Sequence, residues 1–180
     1  MLRQKYILMR KSLTPEDVYT KSERVFENFV ACNFEKAIKK VLVYLPIKNE
    51  VDIKSTIKHL KQSSVELFLP AHKNGEWVVS KFENEDGLVN GPYETWQPAV
   101  LKAVEIDDLD MTIVPGVAFS KSGVRLGYGK GVYDKLLKGF GGIKIGLAYD
   151  FQIIDTLPFF DHDVKMDYLI SESRTIRVSG

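Results

Sequence analysis

Residues 40–45 read KVLVYL, with Val41, Leu42 and Val43 apolar in succession and Pro46 closing the run. A strand with one wet face alternates apolar and polar side chains. An unbroken apolar run is instead covered on both faces, as the strands of a parallel sheet between helices are. The expected fold is therefore α/β: a single domain over residues 1–180, built as a three-layer open sheet, mostly parallel and flanked by helices.

The segments on either side fit that frame. Upstream, Leu2, Tyr6, Met9 and Leu13 give a basic helical stretch one apolar stripe, while Lys5, Arg10 and Lys11 read as solvated charges. Thr14-Pro15-Glu16-Asp17 then combines an N-cap hydroxyl, a first-turn proline and first-turn acids. Val18, Val25, Phe26, Phe29 and Val30 are expected to form the buried face of the helix that follows. Downstream, a helix from Asp52 to Leu60 leads to strands at 65–69 and 77–82. The second of these is expected near an edge, paired across Asn74-Gly75, which makes the sheet mixed. Further strands are expected at 111–114 and 143–148, with one or two short ones at 168–170 and 175–178.

Composition narrows the function. Lys and Arg number 25 against 24 Asp and Glu, which excludes a general nucleic-acid or membrane-surface binder and makes any anion site local. The one cysteine, Cys32, excludes an intramolecular disulfide, reads as packing, and suits a reducing compartment. The start, MLRQKYILMRK, lacks the apolar core of a signal peptide, and no apolar run is long enough to span a bilayer. A cytoplasmic monomer acting on small molecules is expected.

The chemistry concentrates in residues 114–137, VPGVAFSKSGVRLGYGKGVYDKLL. An apolar strand ends at Pro115-Gly116, a glycine-rich loop follows, and Val132, Tyr133, Leu136 and Leu137 resume at helical spacing. Glycines let backbone N–H groups converge on an anion, phosphate above all, though a glycine loop with no ligand has the same look. Arg125 and Lys130 favour the phosphate, one as a planar fork and the other as a point charge. Asp134, one turn into the helix, makes sense beside phosphates if a divalent metal lies between them, or simply as a first-turn acid. Neither a Walker A tail nor a dinucleotide GxGxxG is present.

The RLGYGKG core followed by Tyr133-Asp134 resembles the signature of the 5-formyltetrahydrofolate cyclo-ligase family, also called 5,10-methenyltetrahydrofolate synthetase. The resemblance extends to Leu2-Arg3, the segment from Leu45 to Glu50, the loop from Tyr93 to Pro98, and Asp163 to Asp167. It implies a Rossmann-like layout, similar to that of sugar-phosphate isomerases and CoA transferases. It also implies closure of 5-formyltetrahydrofolate to 5,10-methenyltetrahydrofolate with ATP as co-substrate and Mg²⁺ as cofactor. ATP would be bound by Arg3 and by Arg125, Leu126, Gly127, Tyr128, Gly129, Lys130, Gly131, Val132 and Tyr133. The folate would be bound by Leu45, Glu50 and Tyr93 together with residues 128–132, and the metal by Asp134 and Asp167.

The same residues have plainer readings. Glu50 is also an ordinary loop carboxylate, Tyr93 has a competitor in Trp96, and Asp167 has ion-pair partners in Lys165 or Arg174. Two departures from the family pattern stand out: the lysine of the amino-terminal element would fall ahead of Met1, and Val132 replaces the first of two tyrosines. The acid-rich run FDHDVKMD, with Asp161, His162, Asp163 and Asp167, suits a hard cation held with phosphates better than zinc. No Ser-His-Asp or Cys-His set offers a nucleophile, so catalysis is expected to be positioning and electrostatics. The competing readings are an isomerase or CoA transferase that needs no ATP, and a nucleotide sensor that binds without turnover.

Overall fold

The structure is a computed structural model that describes residues 2–159 and 163–178. Its elements in chain order are α1 (Leu2–Lys11), α2 (Pro15–Ala31), β1 (Lys40–Leu42), α3 (Lys54–Gln62), β2 (Glu66–Lys73) and β3 (Glu76–Phe82). Then come β4 (Leu88–Asn90), β5 (Trp96–Pro98), β6 (Ala103–Val104), β7 (Met111–Pro115), β8 (Ala118–Ser120) and β9 (Arg125–Leu126). The chain ends with α4 (Val132–Leu136), β10 (Ile143–Leu147), β11 (Ile153–Ile154), β12 (Tyr168–Ile170) and β13 (Thr175–Arg177).

One eight-stranded sheet, in the order β13-β12-β10-β7-β1-β2-β3-β6, carries the molecule. The five strands from β12 to β2 run parallel, and antiparallel strands finish both edges. The expected α/β class and the mixed edge are both present. Alternate residues of the continuous apolar runs go to opposite cores. Val41, Leu67, Leu69, Met111, Ile113, Ile145 and Leu147 face α2 and α3, where they meet Val25, Phe29, Ile57 and Leu60. Leu42, Phe68 and Val114 face the other way, onto Phe119, Leu136, Leu137 and Phe140. Both faces are dry, which is why these strands show no apolar–polar alternation.

Local expectations hold with adjustments. Thr14 and Asp17 form a reciprocal capping box at the start of α2, and Val25 and Phe29 are buried, while Val18, Phe26 and Val30 are half-buried at the flanks. β1 ends at Leu42 rather than Leu45, and Val43 and Tyr44 stay buried while the chain turns away. β2 runs on through Pro70, which costs no ladder bond. Phe68 points its carbonyl at Val43, and Pro70, two residues on, faces the same side where β1 has already ended.

One expectation is corrected. The glycine run is not a direct passage from strand to helix. Between β7 and α4 lies a hairpin, β8–β9, which joins β11 in a separate three-stranded sheet, and α4 is only five residues long. Strands of two and three residues show no periodicity, and their Ser-Lys-Ser-Gly turn reads as loop.

The connections determine where a ligand can sit. From β1 the chain passes through α3 to β2 on one side, whereas from β7 it passes through α4 to β10 on the other. α3 and α4 pack on opposite faces, so a crevice opens above the carboxyl ends of β1 and β7.

Candidate functional site

A cavity of about 780 Å³ lies at that crevice. It collects residues from distant parts of the chain: Arg3 from α1; Leu45, Lys48 and Glu50 after β1; Trp77, Tyr93 and Trp96 from β3 to β5; and the whole run from Arg125 to Asp134.

The glycine run forms one wall. Gly129 and Gly131 have positive φ (88° and 64°), whereas Gly127 does not, and its absent side chain leaves space that the Arg125 guanidinium fills. A Cβ on Gly127 would lie 2.5 Å from Arg125 Nη1. Arg125 donates to Asp134 at 2.8 Å, and its guanidinium lies over the Tyr133 ring. Arg3, itself exposed, donates from Nε to the Gly127 carbonyl at 2.9 Å and so reaches the loop from α1. Lys130 stands over the Tyr93 ring, 5.0 Å from its centre.

The opposite wall is aromatic. Tyr93 stacks on Trp77 with the rings 6.4 Å apart and tilted by 24°, while keeping 52% of its surface exposed. Tyr93 and Glu94 both hold left-handed φ (60° and 67°), a conformation costly for residues with side chains and found most often where function needs it. Trp96 also lines the cavity, so the loop offers two aromatics and β3 a third, Trp77, which its strand pattern had concealed.

Glu50 lies at the floor with 5% of its surface exposed. One of its oxygens accepts the Ile47 N–H at 3.1 Å, and the Arg10 guanidinium stands 3.8 Å from the other. Burial raises its pKa to about 7, and Arg10 works against that rise. Arg10 overturns its reading as a solvated charge. Only 1% of its surface is exposed, because α1 lies across the carboxyl edge of the sheet with Tyr6 and Arg10 turned inward. A signal was present in the sequence: Arg10 lies one helical turn beyond Tyr6, beside the expected apolar stripe, of which Leu2 and Met9 are exposed.

The expected metal residues separate. Asp134 lines the cavity, but Asp167 does not. Asp167 precedes β12 at the amino edge of the sheet, where it accepts the Lys144 N–H at 2.7 Å and pairs with Lys144 Nζ at 3.0 Å, rather than with Lys165 or Arg174. From the same segment it is Asp163 that reaches the cavity. That segment is docked by Gly123, whose carbonyl accepts the Met166 N–H at 2.9 Å and whose absent Cβ would sit 2.6 Å from the Met166 carbonyl oxygen. Asp161 and His162 lie outside the described residues. Among the described residues, no group of three or more His, Cys, Asp and Glu side chains is placed to hold a metal. Asp134 and Asp163, two carboxylates lining one cavity with Arg125 and Lys130, have the oxygen chemistry of a hard cation that shares phosphate oxygens, not the nitrogen and sulfur ligands of a soft transition metal. No helix among the described residues is long and apolar enough to cross a membrane.

Comparison with known proteins agrees with this arrangement. Residues 1–172 match the 5-formyltetrahydrofolate cyclo-ligase family. A probable 5-formyltetrahydrofolate cyclo-ligase of Caenorhabditis elegans is 31% identical, covering 97% of this chain and 93% of its own. The 5-formyltetrahydrofolate cyclo-ligase of Escherichia coli K12 is 26% identical, over 97% and 98% of the two chains. Among solved structures, the 5,10-methenyltetrahydrofolate synthetase of Aquifex aeolicus superposes with a TM-score of 0.88 at 36% identity, covering 99% of this chain and 92% of that one. The Mycoplasma pneumoniae synthetase gives 0.77 at 28%, over 95% and 96%.

Proposed function

This chain belongs to the 5-formyltetrahydrofolate cyclo-ligase family, and from that premise we propose that its cavity closes 5-formyltetrahydrofolate to 5,10-methenyltetrahydrofolate with conversion of ATP to ADP and phosphate. The observation that carries this reading is the cavity itself. A glycine loop flanked by Arg3, Arg125 and Lys130 faces a wall of Tyr93, Trp77 and Trp96, with a buried carboxylate between them. One half suits polyphosphate and the other a flat heterocycle with hydrogen-bond donors.

A formyl oxygen is a poor leaving group, and phosphorylation makes it a good one. The formyl oxygen attacks the γ-phosphorus and ADP departs. N10 then attacks the formyl carbon and gives up its proton, and the C–O bond breaks to release phosphate. No protein nucleophile is needed. The residues hold two substrates in line and meet the charge that develops between them. The amides of the run from Gly127 to Gly131, with Leu126 and Tyr128 in its walls, would cradle the phosphates, while Arg3, Arg125 and Lys130 would bind their oxygens. Arg125 is held for this task by Asp134 and by the Tyr133 face. Glu50 would accept hydrogen bonds from pterin N–H groups, with Leu45, Val132 and Tyr93 against the rings. Asp134 and Asp163 would hold magnesium together with phosphate oxygens, which would supply charge neutralisation on the transferring phosphoryl group.

The test is direct. Purified protein given 5-formyltetrahydrofolate and MgATP is expected to develop the near-ultraviolet absorbance of a methenyl product, with ADP and phosphate released in equal amounts. Folded protein that binds ATP but leaves the absorbance flat would be a sensor, and product without ATP would point to isomerase-like chemistry.

A further inference from the structure

Among the described residues Arg10 is the largest fully buried side chain, and its contacts radiate to three separate segments. Nε donates to the Lys48 carbonyl at 2.9 Å and Nη1 to the Gly116 carbonyl at 3.2 Å, while Nη2 donates to the Tyr128 hydroxyl. Nη1 also faces the Glu50 carboxylate at 3.8 Å. Lys48 and Glu50 follow β1, Gly116 follows β7, and Tyr128 lies within the glycine run, with the Arg10 and Lys48 cations against its ring. A guanidinium used only for stability has no need to join the glycine wall of a cavity to its floor. Burying it requires that its donors and charge be matched, and here the matching groups are Tyr128 of the glycine run, the Gly116 carbonyl after β7, and Lys48 and Glu50 at the floor.

We propose that Arg10 is a positioning residue for both substrates: its fork fixes the glycine loop against the β1 and β7 ends through Tyr128, Lys48 and Gly116, and its charge compensates the buried Glu50 carboxylate. The proposal rests on the reading of the glycine loop and Glu50 as binding elements. The two contributions are separable. A lysine keeps the charge but not the planar fork, and a glutamine keeps some hydrogen bonding but not the charge. Glu50 is faced by Arg10 from α1, Lys48 from its own loop, Arg125 from β9, and the phenols of Tyr44, Tyr133 and Tyr149. Arg10 is the first among the opposite charges that hold its pKa down against burial.

The experiment uses the full chain without ligands, by following the Glu50 carboxyl carbon in a pH titration by NMR, and then steady-state kinetics. Arg10→Gln is expected to move the Glu50 midpoint up by about one pH unit or more, with Arg10→Lys close to the parent. In turnover, Arg10→Lys and Tyr128→Phe are expected to raise the ATP KM about three- to tenfold. Neither should move the pH profile of the folate KM, while Arg10→Gln carries its acidic limb upward. A merely structural role would lower the melting temperature of all three and leave the Glu50 midpoint and the ATP KM unchanged, and that result overturns the proposal. If Arg10→Gln does not fold, an unchanged ATP KM in both other variants overturns it. The titration needs no turnover, so a parent protein that makes no methenyl product would reject the functional reading without deciding this one.

Discussion

Asp134, Asp163 and Asp167 are carboxylates of similar exposure with different surroundings, and those surroundings assign them different work. Asp134 and Asp163 line the cavity, whereas Asp167 closes the amino end of β12 onto Lys144. Asp134→Asn and Asp163→Asn are therefore expected to raise the Mg²⁺ concentration for half-maximal rate, because losing one oxygen ligand weakens the site while phosphates still hold the ion. Asp167→Asn should instead lower the melting temperature by a few degrees, a loss of about 1 kcal/mol, and leave the Mg²⁺ requirement alone. A Mg²⁺ titration of initial rate with a melting curve for each variant checks this; a shifted Mg²⁺ requirement in Asp167→Asn alone would reverse the assignment. The distinction was not legible in the chain, since Asp163 and Asp167 are one helical turn apart in number and resemble each other in composition. The docking of Met166 on Gly123, together with the bonds that hold Asp167 on Lys144, leaves one at the cavity and the other away from it.

Between β4 and β5 the chain forms a small antiparallel ladder whose connection, residues 91–95, carries Tyr93 in a left-handed conformation. This ladder is tied to the main sheet by Gln97, whose side chain accepts the His72 N–H at 2.9 Å, so the aromatic wall is mounted on β2 rather than hanging from a loop. Tyr93 is stacked on Trp77 and touched by Lys130, whereas among the described residues Trp96 has no such ring contact. Tyr93→Ala and Trp77→Ala are expected to raise the folate KM about three- to tenfold, and Trp96→Ala less, since each stacked ring contributes on the order of 1 kcal/mol. Initial rates at varied folate and saturating ATP measure this. A larger defect in Trp96→Ala than in the other two would move the stacking role to Trp96.

For the whole molecule, the burial of Glu50 at the cavity couples its protonation to stability. Its folded pKa is raised from 4.5 to about 7, so between those values the native state binds a proton that the unfolded chain has lost. The stability that this proton provides is fully present below the unfolded pKa and is lost as pH rises through about 7. Glu50→Gln, which cannot ionise, is expected to resist urea better than the parent at pH 8, by up to about 3 kcal/mol, and to match it near pH 4. Urea midpoints at the two pH values check the sign, and a parent that is the more resistant at pH 8 would show that the pairing with Arg10 outweighs burial. Continuous apolar runs such as KVLVYL, the capping box at Thr14 and the Asn74-Gly75 hairpin determined the layers, the helix starts and the mixed edge, because these signals depend on neighbours a few residues away. RLGYGKG with Tyr133-Asp134 likewise carried the family resemblance and the expectation of a phosphate ligand, since glycines, cations and a carboxylate at that spacing have their own ligand preference. What only the tertiary structure decided is which groups meet: that Arg10 is buried between the glycine run and Glu50, that Asp163 and not Asp167 reaches the cavity, and that Trp77 backs Tyr93. The physical reason is that a charge or an aromatic has the same local pattern on a wet face as on a cavity wall, and the difference is made by the strand order, which brings residues 10, 50, 93, 128 and 163 to one edge of the sheet.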